Sequence, residues 1–147
     1  MADHTEARAV IHADPGTVAD VIGDVEAYPQ WTEQMRSSRI LTRDQADWPA
    51  EVEFVVDAGI VRDTYVLDYT WDVEEDGTGV VSWTLLRSQS LTAMNGSYTL
   101  TAVPEGTEVT YRLAVDTRIT MPALVRRKAE KSIVAAALDG LKRHCEN

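Results

Sequence analysis

Cysteine, histidine and phenylalanine are nearly missing from this chain, and the shortages close off whole classes of function. The single cysteine, Cys145, excludes an intrachain disulfide and fits a reducing, cytoplasmic setting. The three histidines, His4, His12 and His144, are scattered without metal-ligand spacing, so no metal site is expected. A lone thiol near a helix end, with no base beside it, is a poor nucleophile. No Gly-x-Ser-x-Gly elbow and no phosphate-binding glycine loop occur, which argues against serine hydrolysis and phosphoryl transfer. Residues 1–13 lack an apolar core of signal-peptide length, and no run approaches membrane-spanning length. No integral membrane association is therefore expected. Cations are the scarcer charge, 14 against 24 acids for a net −10. That balance opposes non-specific binding to nucleic acid or to an anionic membrane surface. A local basic cluster, Arg126-Arg127-Lys128 with Lys131, reads as the solvated face of a helix.

What is present is enough for one domain, residues 1–147, with an ordinary apolar fraction of 44%. The most telling segment runs from Val61 to Val73. One face carries Val61, Asp63, Tyr65, Leu67, Tyr69, Trp71 and Val73; the other carries Arg62, Thr64, Val66, Asp68, Thr70 and Asp72. Strict alternation marks an antiparallel strand with one covered and one wet face. The covered face is aromatic and holds a carboxylate, which must find a polar partner or lose its charge.

Other elements follow by the same logic. A strand over residues 5–13 leads into Asp14-Pro15, a helix start with Asp14 as side-chain N-cap. A second short helical piece through Val25 and Tyr28 is expected to stop there, because Pro29 disfavours a helical Tyr28. Residues 39–42 form a strand; Val52, Phe54 and Val56 alternate on the next. A tight turn at residues 57–60 would set Phe54 opposite Asp63 and Val56 opposite Val61. Residues 75–78 turn the chain back through Val81, Trp83, Leu85 and Arg87 on the covered face. That register sets Arg87 opposite Leu67. Residues 88–95 read as a loop, and two strands pairing through a turn at residues 104–106 follow. These carry Tyr98, Leu100 and Ala102, then Val109, Tyr111, Leu113 and Val115. Pro122 opens a long helix to about His144, with Leu124, Val125, Ala129, Ile133, Ala136 and Leu141 as its apolar face. The order implies an α+β domain, with a curved antiparallel sheet of about seven strands around the last helix.

Four segments carry a resemblance. They are Ile11-His12-Ala13-Asp14-Pro15-Gly16-Thr17-Val18; Asp24 with Tyr28-Pro29-Gln30-Trp31; Gly96-Ser97-Tyr98-Thr99-Leu100; and Gly106-Thr107-Glu108-Val109-Thr110-Tyr111-Arg112-Leu113. In these the chain resembles the START-like helix-grip superfamily (SRPBCC), and most of all its polyketide cyclase/dehydrase and coenzyme Q-binding branch. The resemblance implies a cavity between the concave sheet and the long helix, open at one end. It implies a polyketide, quinone or lipid-like ligand, no cofactor and no fixed catalytic set.

The expected ligand-binding residues are Phe54, Asp63, Tyr65, Tyr69, Trp71, Trp83, Arg87, Met94, Tyr98 and Tyr111. Aromatic side chains offer broad apolar area, and Tyr or Trp adds a polar tip. The competing reading packs these rings as solid core against Ala129, Ala135, Ala136, Ala137 and Gly140. Asp63 and Arg87 are the candidate catalytic pair, as base and carbonyl polariser. The partner is accordingly a hydrophobic or aromatic small molecule, and the function either a carrier's binding or aldol cyclisation. A protein-binding module would instead show a filled core and an exposed apolar patch. Tyr28 and Trp31 read as anchors of the short helices. Oligomeric state leaves no trace in the sequence.

Overall fold

The computed structural model describes residues 4–32, 34–57 and 62–146. Seven antiparallel strands form one sheet in the order β1-β7-β6-β5-β4-β3-β2. They are β1 (Thr5–Ile11), β2 (Met35–Ile40), β3 (Glu51–Asp57), β4 (Arg62–Val73), β5 (Gly79–Ser88), β6 (Leu91–Val103) and β7 (Gly106–Thr117). Helix α1 (Pro15–Gly23) and a 3₁₀ helix (Val25–Gln30) follow β1, and α2 (Ala123–Glu146) closes the chain. The α+β helix-grip arrangement expected from the sequence is the one observed.

One end of the sheet is sealed. There α1 docks, and the β4–β5 turn packs so tightly on it that a Cβ on Gly77 would lie 2.4 Å from Gly16 N. Gly77 also has φ +92°, a conformation that glycine adopts without strain. Trp48 stacks on Trp71 at 4.3 Å and 11°. The Trp71 Nε1–H donates to the Pro49 carbonyl at 2.7 Å. Behind Trp48 lies Gly23, whose missing Cβ would meet Trp48 Cζ3 at 2.6 Å. The end of α2 is tied here too: Lys142 Nζ donates to the Val10 carbonyl, and the His12 N–H donates to Glu146. Cys145 is therefore held in a helix and packed on the core, where burial, then Glu146, pushes its thiol up to about 11.

The opposite end gathers the β5–β6 turn, the last residues of β7 and the start of α2. Residues 58–60 of the expected turn, and Val61, expected to open β4, lie outside the described residues.

Several expectations are corrected. Asp14 caps α1 with its carbonyl, accepting from Val18 N, while its carboxylate accepts from the Thr17 hydroxyl. The 3₁₀ helix runs through Pro29 to Gln30, because a 3₁₀ turn tolerates what an α-helix does not. The first strand of the meander begins at Met35 and ends at Ile40, earlier than residues 39–42. Residues 91–95 belong to β6, so the β5–β6 loop is only residues 89–90, and Asn95-Gly96 is mid-strand. Val56 pairs with Asp63 and Phe54 with Tyr65, two residues off the expected register but on the expected face.

The apolar face of α2 is also different. Glu130, Val134, Leu138, Gly140 and Leu141 are buried, while Leu124 is 79% exposed and Val125 51%. Of the expected stripe only Leu141 is buried. The helix begins beyond the rim of the sheet, so its first turns have no sheet to cover them. Of the small residues proposed as its packing face, Ala129, Ala135 and Ala136 are exposed. Gly140 instead admits Trp31, whose Cε3 would be 3.0 Å from a Cβ there.

Candidate functional site

The concave face of the sheet is paved with aromatic rings, placed by cross-strand pairing. Tyr69 pairs with Trp83 across β4 and β5, Trp83 with Gly96 across β5 and β6, and Tyr98 with Tyr111 across β6 and β7. Centroids are 5.6 Å apart for Tyr69–Trp83, 5.3 Å for Trp83–Tyr98 and 4.6 Å for Tyr98–Tyr111. The indole of Trp83 lies over Gly96; a Cβ there would come within 2.4 Å of Trp83 Cζ2. Phe54 extends the network to Tyr65 at 5.5 Å and to Tyr28 at 6.0 Å. Tyr28 in turn meets Trp31 at 5.1 Å, and its hydroxyl donates to the Ile22 carbonyl. Tyr28 and Trp31 thus anchor the short helices to the ring network, as expected.

The polar tips of these rings set the chemistry. Among the described residues, the hydroxyls of Tyr65, Tyr69, Tyr98 and Tyr111 accept or donate no hydrogen bond within the protein. The indole N–H groups of Trp31 and Trp83 are fully enclosed and likewise unpartnered. Burial pushes the phenols of Tyr28, Tyr65, Tyr69, Tyr98 and Tyr111 above their ordinary value of 10.0. Mutual repulsion between phenolates adds to this for Tyr28, Tyr69 and Tyr111, and the Asp63 charge adds for Tyr65. All five are therefore neutral O–H groups at any physiological pH. Tyr28 already donates to Ile22; the other four can donate to a carbonyl, enol or phenol oxygen but cannot act as bases.

Asp63 is buried at the open end. It accepts from the Ser88 hydroxyl at 2.6 Å and, more weakly, from the Gln89 N–H at 3.4 Å. With Arg36, Val55, Val56, Asp57, Arg62, Thr64 and Gln89 it lines an open cleft of about 200 Å³. Its partner is not Arg87. A bulge in β5 sets Val66 against Arg87 but Leu67 against Leu85, leaving Leu86 as the extra residue. The alternation shifts by one, so Arg87 turns to the outer face and is exposed. Ser88 takes the inner position opposite Tyr65. The expected Asp63–Arg87 pair does not form on this face.

The other expected residues divide by position. Phe54, Tyr65, Tyr69, Trp83, Tyr98 and Tyr111 come together in one network, and Met94 packs at its edge. Trp71 touches Tyr69 but belongs to the sealed end, with its N–H already satisfied.

A buried acid that the sequence reading passed over is Glu130, 2% exposed. It accepts from the Thr5 hydroxyl at 2.9 Å and from the Val115 N–H at 2.7 Å. That amide lies on β7 beyond Leu113, where the pairing with β1 ends at Thr5. The carboxylate thus replaces a missing strand partner and pins α2 to the sheet. The spacing Glu130, Val134, Leu138, Leu141 along one helix face was the available signal. Among the described residues no group of His, Cys, Asp and Glu could hold a metal.

Residues 2–146 match the family model described as polyketide cyclase/dehydrase and lipid transport. The fold is also similar to that of solved structures. A START superfamily protein from Mycobacterium smegmatis superposes with a TM-score of 0.87 at 17% identity, over 97% of both chains. The Zhui aromatase/cyclase from Streptomyces sp. R1128 gives 0.81 at 18% identity, over 99% of this chain and 94% of that one. A protein from Thermus thermophilus gives 0.79 at 20%, over 97% of both. No curated protein sequence matches this chain. Among the described residues, no helix is long and apolar enough to cross a membrane.

Proposed function

This chain belongs to the polyketide cyclase/dehydrase and lipid transport family, and from that premise we propose that it binds a flat hydrophobic small molecule against the ring network. The ligand is of polyketide, quinone or lipid-like type, and the protein sequesters or delivers it. The observation that carries this reading is the pair of fully enclosed, unpartnered indole N–H groups of Trp31 and Trp83, in one network with four buried tyrosines whose hydroxyls bond no described residue. An unsatisfied buried donor costs about 1–3 kcal/mol. A ligand with carbonyl or phenol oxygens on an apolar body would answer those donors while keeping aromatic contact.

The open cleft of about 200 Å³ is smaller than the roughly 300–1,000 Å³ of an ordinary ligand site. None of the rings lines that cleft, so binding against them requires rings of the network to turn aside, and Trp83 should report it. The test combines native mass spectrometry of the purified protein with tryptophan fluorescence titrations against a quinone, an aromatic polyketide and a fatty acid. We expect a co-purified or added ligand to perturb the indole emission. Tyr98→Phe and Tyr111→Phe should each weaken binding about fivefold while leaving stability within about 0.5 kcal/mol, since neither hydroxyl has a protein partner to lose. A protein that stays empty and silent towards all three probes would end this reading.

The alternative is a cyclase or dehydratase that closes an aldol ring on a poly-β-ketone in the same place. It is favoured by Asp63, a buried carboxylate at the open end beside the neutral phenol of Tyr65. There the phenols would hold the enol oxygen and Asp63 would accept the α-proton. Product formation from a poly-β-ketone thioester tests it. Turnover lost in Asp63→Asn, with binding retained, supports the enzyme; equal turnover removes Asp63 from the chemistry.

A further inference from the structure

Charge and apolar exposure are not spread evenly over this molecule; both concentrate at the start of α2. The segment of residues 118–131 carries five cations and one acid, leaving nine cations against 23 acids elsewhere in the chain. That one acid, Glu130, is turned inward. Three of the six large exposed apolar side chains among the described residues lie in the same segment: Ile119 at 85%, Leu124 at 79% and Val125 at 51%. A fourth, Leu86, is close by, because Arg118 donates to the Ser88 and Gln89 carbonyls and so holds this segment against the β5–β6 turn. Gln89, whose carbonyl Arg118 holds, also lines the cleft.

On α2, Leu124, Lys128 and Lys131 follow at spacings of four and three, so they share one flank, with Val125 beside them. Lys128 and Lys131 are exposed and form no ion pair with a described residue, whereas Arg126 is paired with Asp116. An apolar tip flanked by lysines is the pattern of a shallow interfacial anchor.

We propose that this end of the protein docks reversibly on an anionic lipid surface, with Ile119, Leu124 and Val125 entering the interface and Lys128 and Lys131 facing the headgroups. A protein partner fits the patch less well. A stable protein interface buries about 1,200–2,000 Å² in a packed, complementary surface. Here a few side chains project outward, unenclosed, from a convex tip. Insertion of a few apolar groups with neighbouring cations suffices for weak membrane attachment. The low cation content of the whole chain does not oppose this, because within residues 118–131 the one acid is buried, and Asp116 beside them is paired with Arg126. Docking would present the cleft to the bilayer, although the inference does not depend on what the interior binds.

Co-sedimentation with ligand-free vesicles of phosphatidylcholine, with and without phosphatidylserine, is the test. We expect binding only to the serine-containing vesicles, falling with added salt. Leu124→Asp with Ile119→Asp should reduce it at least about tenfold, and Lys128→Glu with Lys131→Glu about fivefold per charge. All four residues are exposed, so unchanged thermal melting will confirm that the variants fold. Absence of binding to serine-containing vesicles overturns the proposal. So does binding that Leu124→Asp with Ile119→Asp leaves intact. Retention on a soluble polyglutamate column, unchanged by the apolar substitutions and unmatched on vesicles, would point to an acidic protein and also overturn it. Failure here leaves the ligand titrations untouched.

Discussion

At the end of the sheet where α1 docks, every contact removes freedom. Glycines sit where a methyl group has no room, two indoles stack, and the last turn of α2 is tied to β1 by Lys142 and Glu146. At the far end the materials are different: a buried carboxylate, a bulged strand, an open cleft and four exposed apolar side chains. The first end contributes stability; on the proposed binding role, the second is where a ligand would enter. A fold that must admit a ligand needs its low-stability region to coincide with its mouth, and its rigidity elsewhere.

Alkali tests the region between the two ends and should give the largest effect. Below pH about 10 the phenols are neutral in folded and unfolded chain alike, and stability is level. Above it the unfolded chain releases protons that the folded interior holds, because the folded pKa values are raised. Stability should then fall by up to about 1.4 kcal/mol per pH unit for each phenol. Urea unfolding across pH, with tyrosinate absorbance as the second readout, checks it. A flat profile through that range would mean that the phenols are wet.

Next in size is Trp71→Ala at the sealed end, which removes the stack on Trp48 and the hydrogen bond to Pro49. A loss of about 3 kcal/mol in urea unfolding is expected, with ligand affinity unchanged. Weakened ligand binding at normal stability would erase the distinction between the ends. The smallest effect belongs to Asp63→Asn at the mouth. Its amide can still accept from Ser88 but no longer offers a charge to the Gln89 N–H, a cost of about 1 kcal/mol. Here the change should appear in ligand on-rate or turnover more than in unfolding. A loss as large as that of Trp71→Ala would make Asp63 a structural keystone.

What could be read from the sequence depended on which pattern each element obeyed. Period-two alternation placed β3, β4, β6 and β7 with the correct faces inward, even where the registers were off by two. Most of the ring network follows from that parity alone. Arg87 did not, because a bulge adds one residue with no composition of its own to announce it. The α2 stripe failed for a different reason. Spacing reports an apolar face but not whether a partner lies opposite it. Leu124 and Val125 continue such a face past the edge of the sheet. Glu130 went unnoticed because a carboxylate is read as surface unless the strand it completes is known.

The bulge at Leu86 works like a frameshift in a strand. Every residue after it exchanges faces, and since β5 ends at Ser88, only two are affected: the arginine goes out and the serine comes in. The bulge therefore decides which of the two faces Asp63. Deleting Leu86 would take out the extra residue yet leave Arg87 opposite Val66 and Ser88 opposite Tyr65, on the faces they hold now. Arg87 would turn inward only if Leu86 took the place opposite Val66, in a strand paired without a bulge. One extra residue in the strand thus keeps a hydroxyl, and not a guanidinium, beside the Asp63 carboxylate.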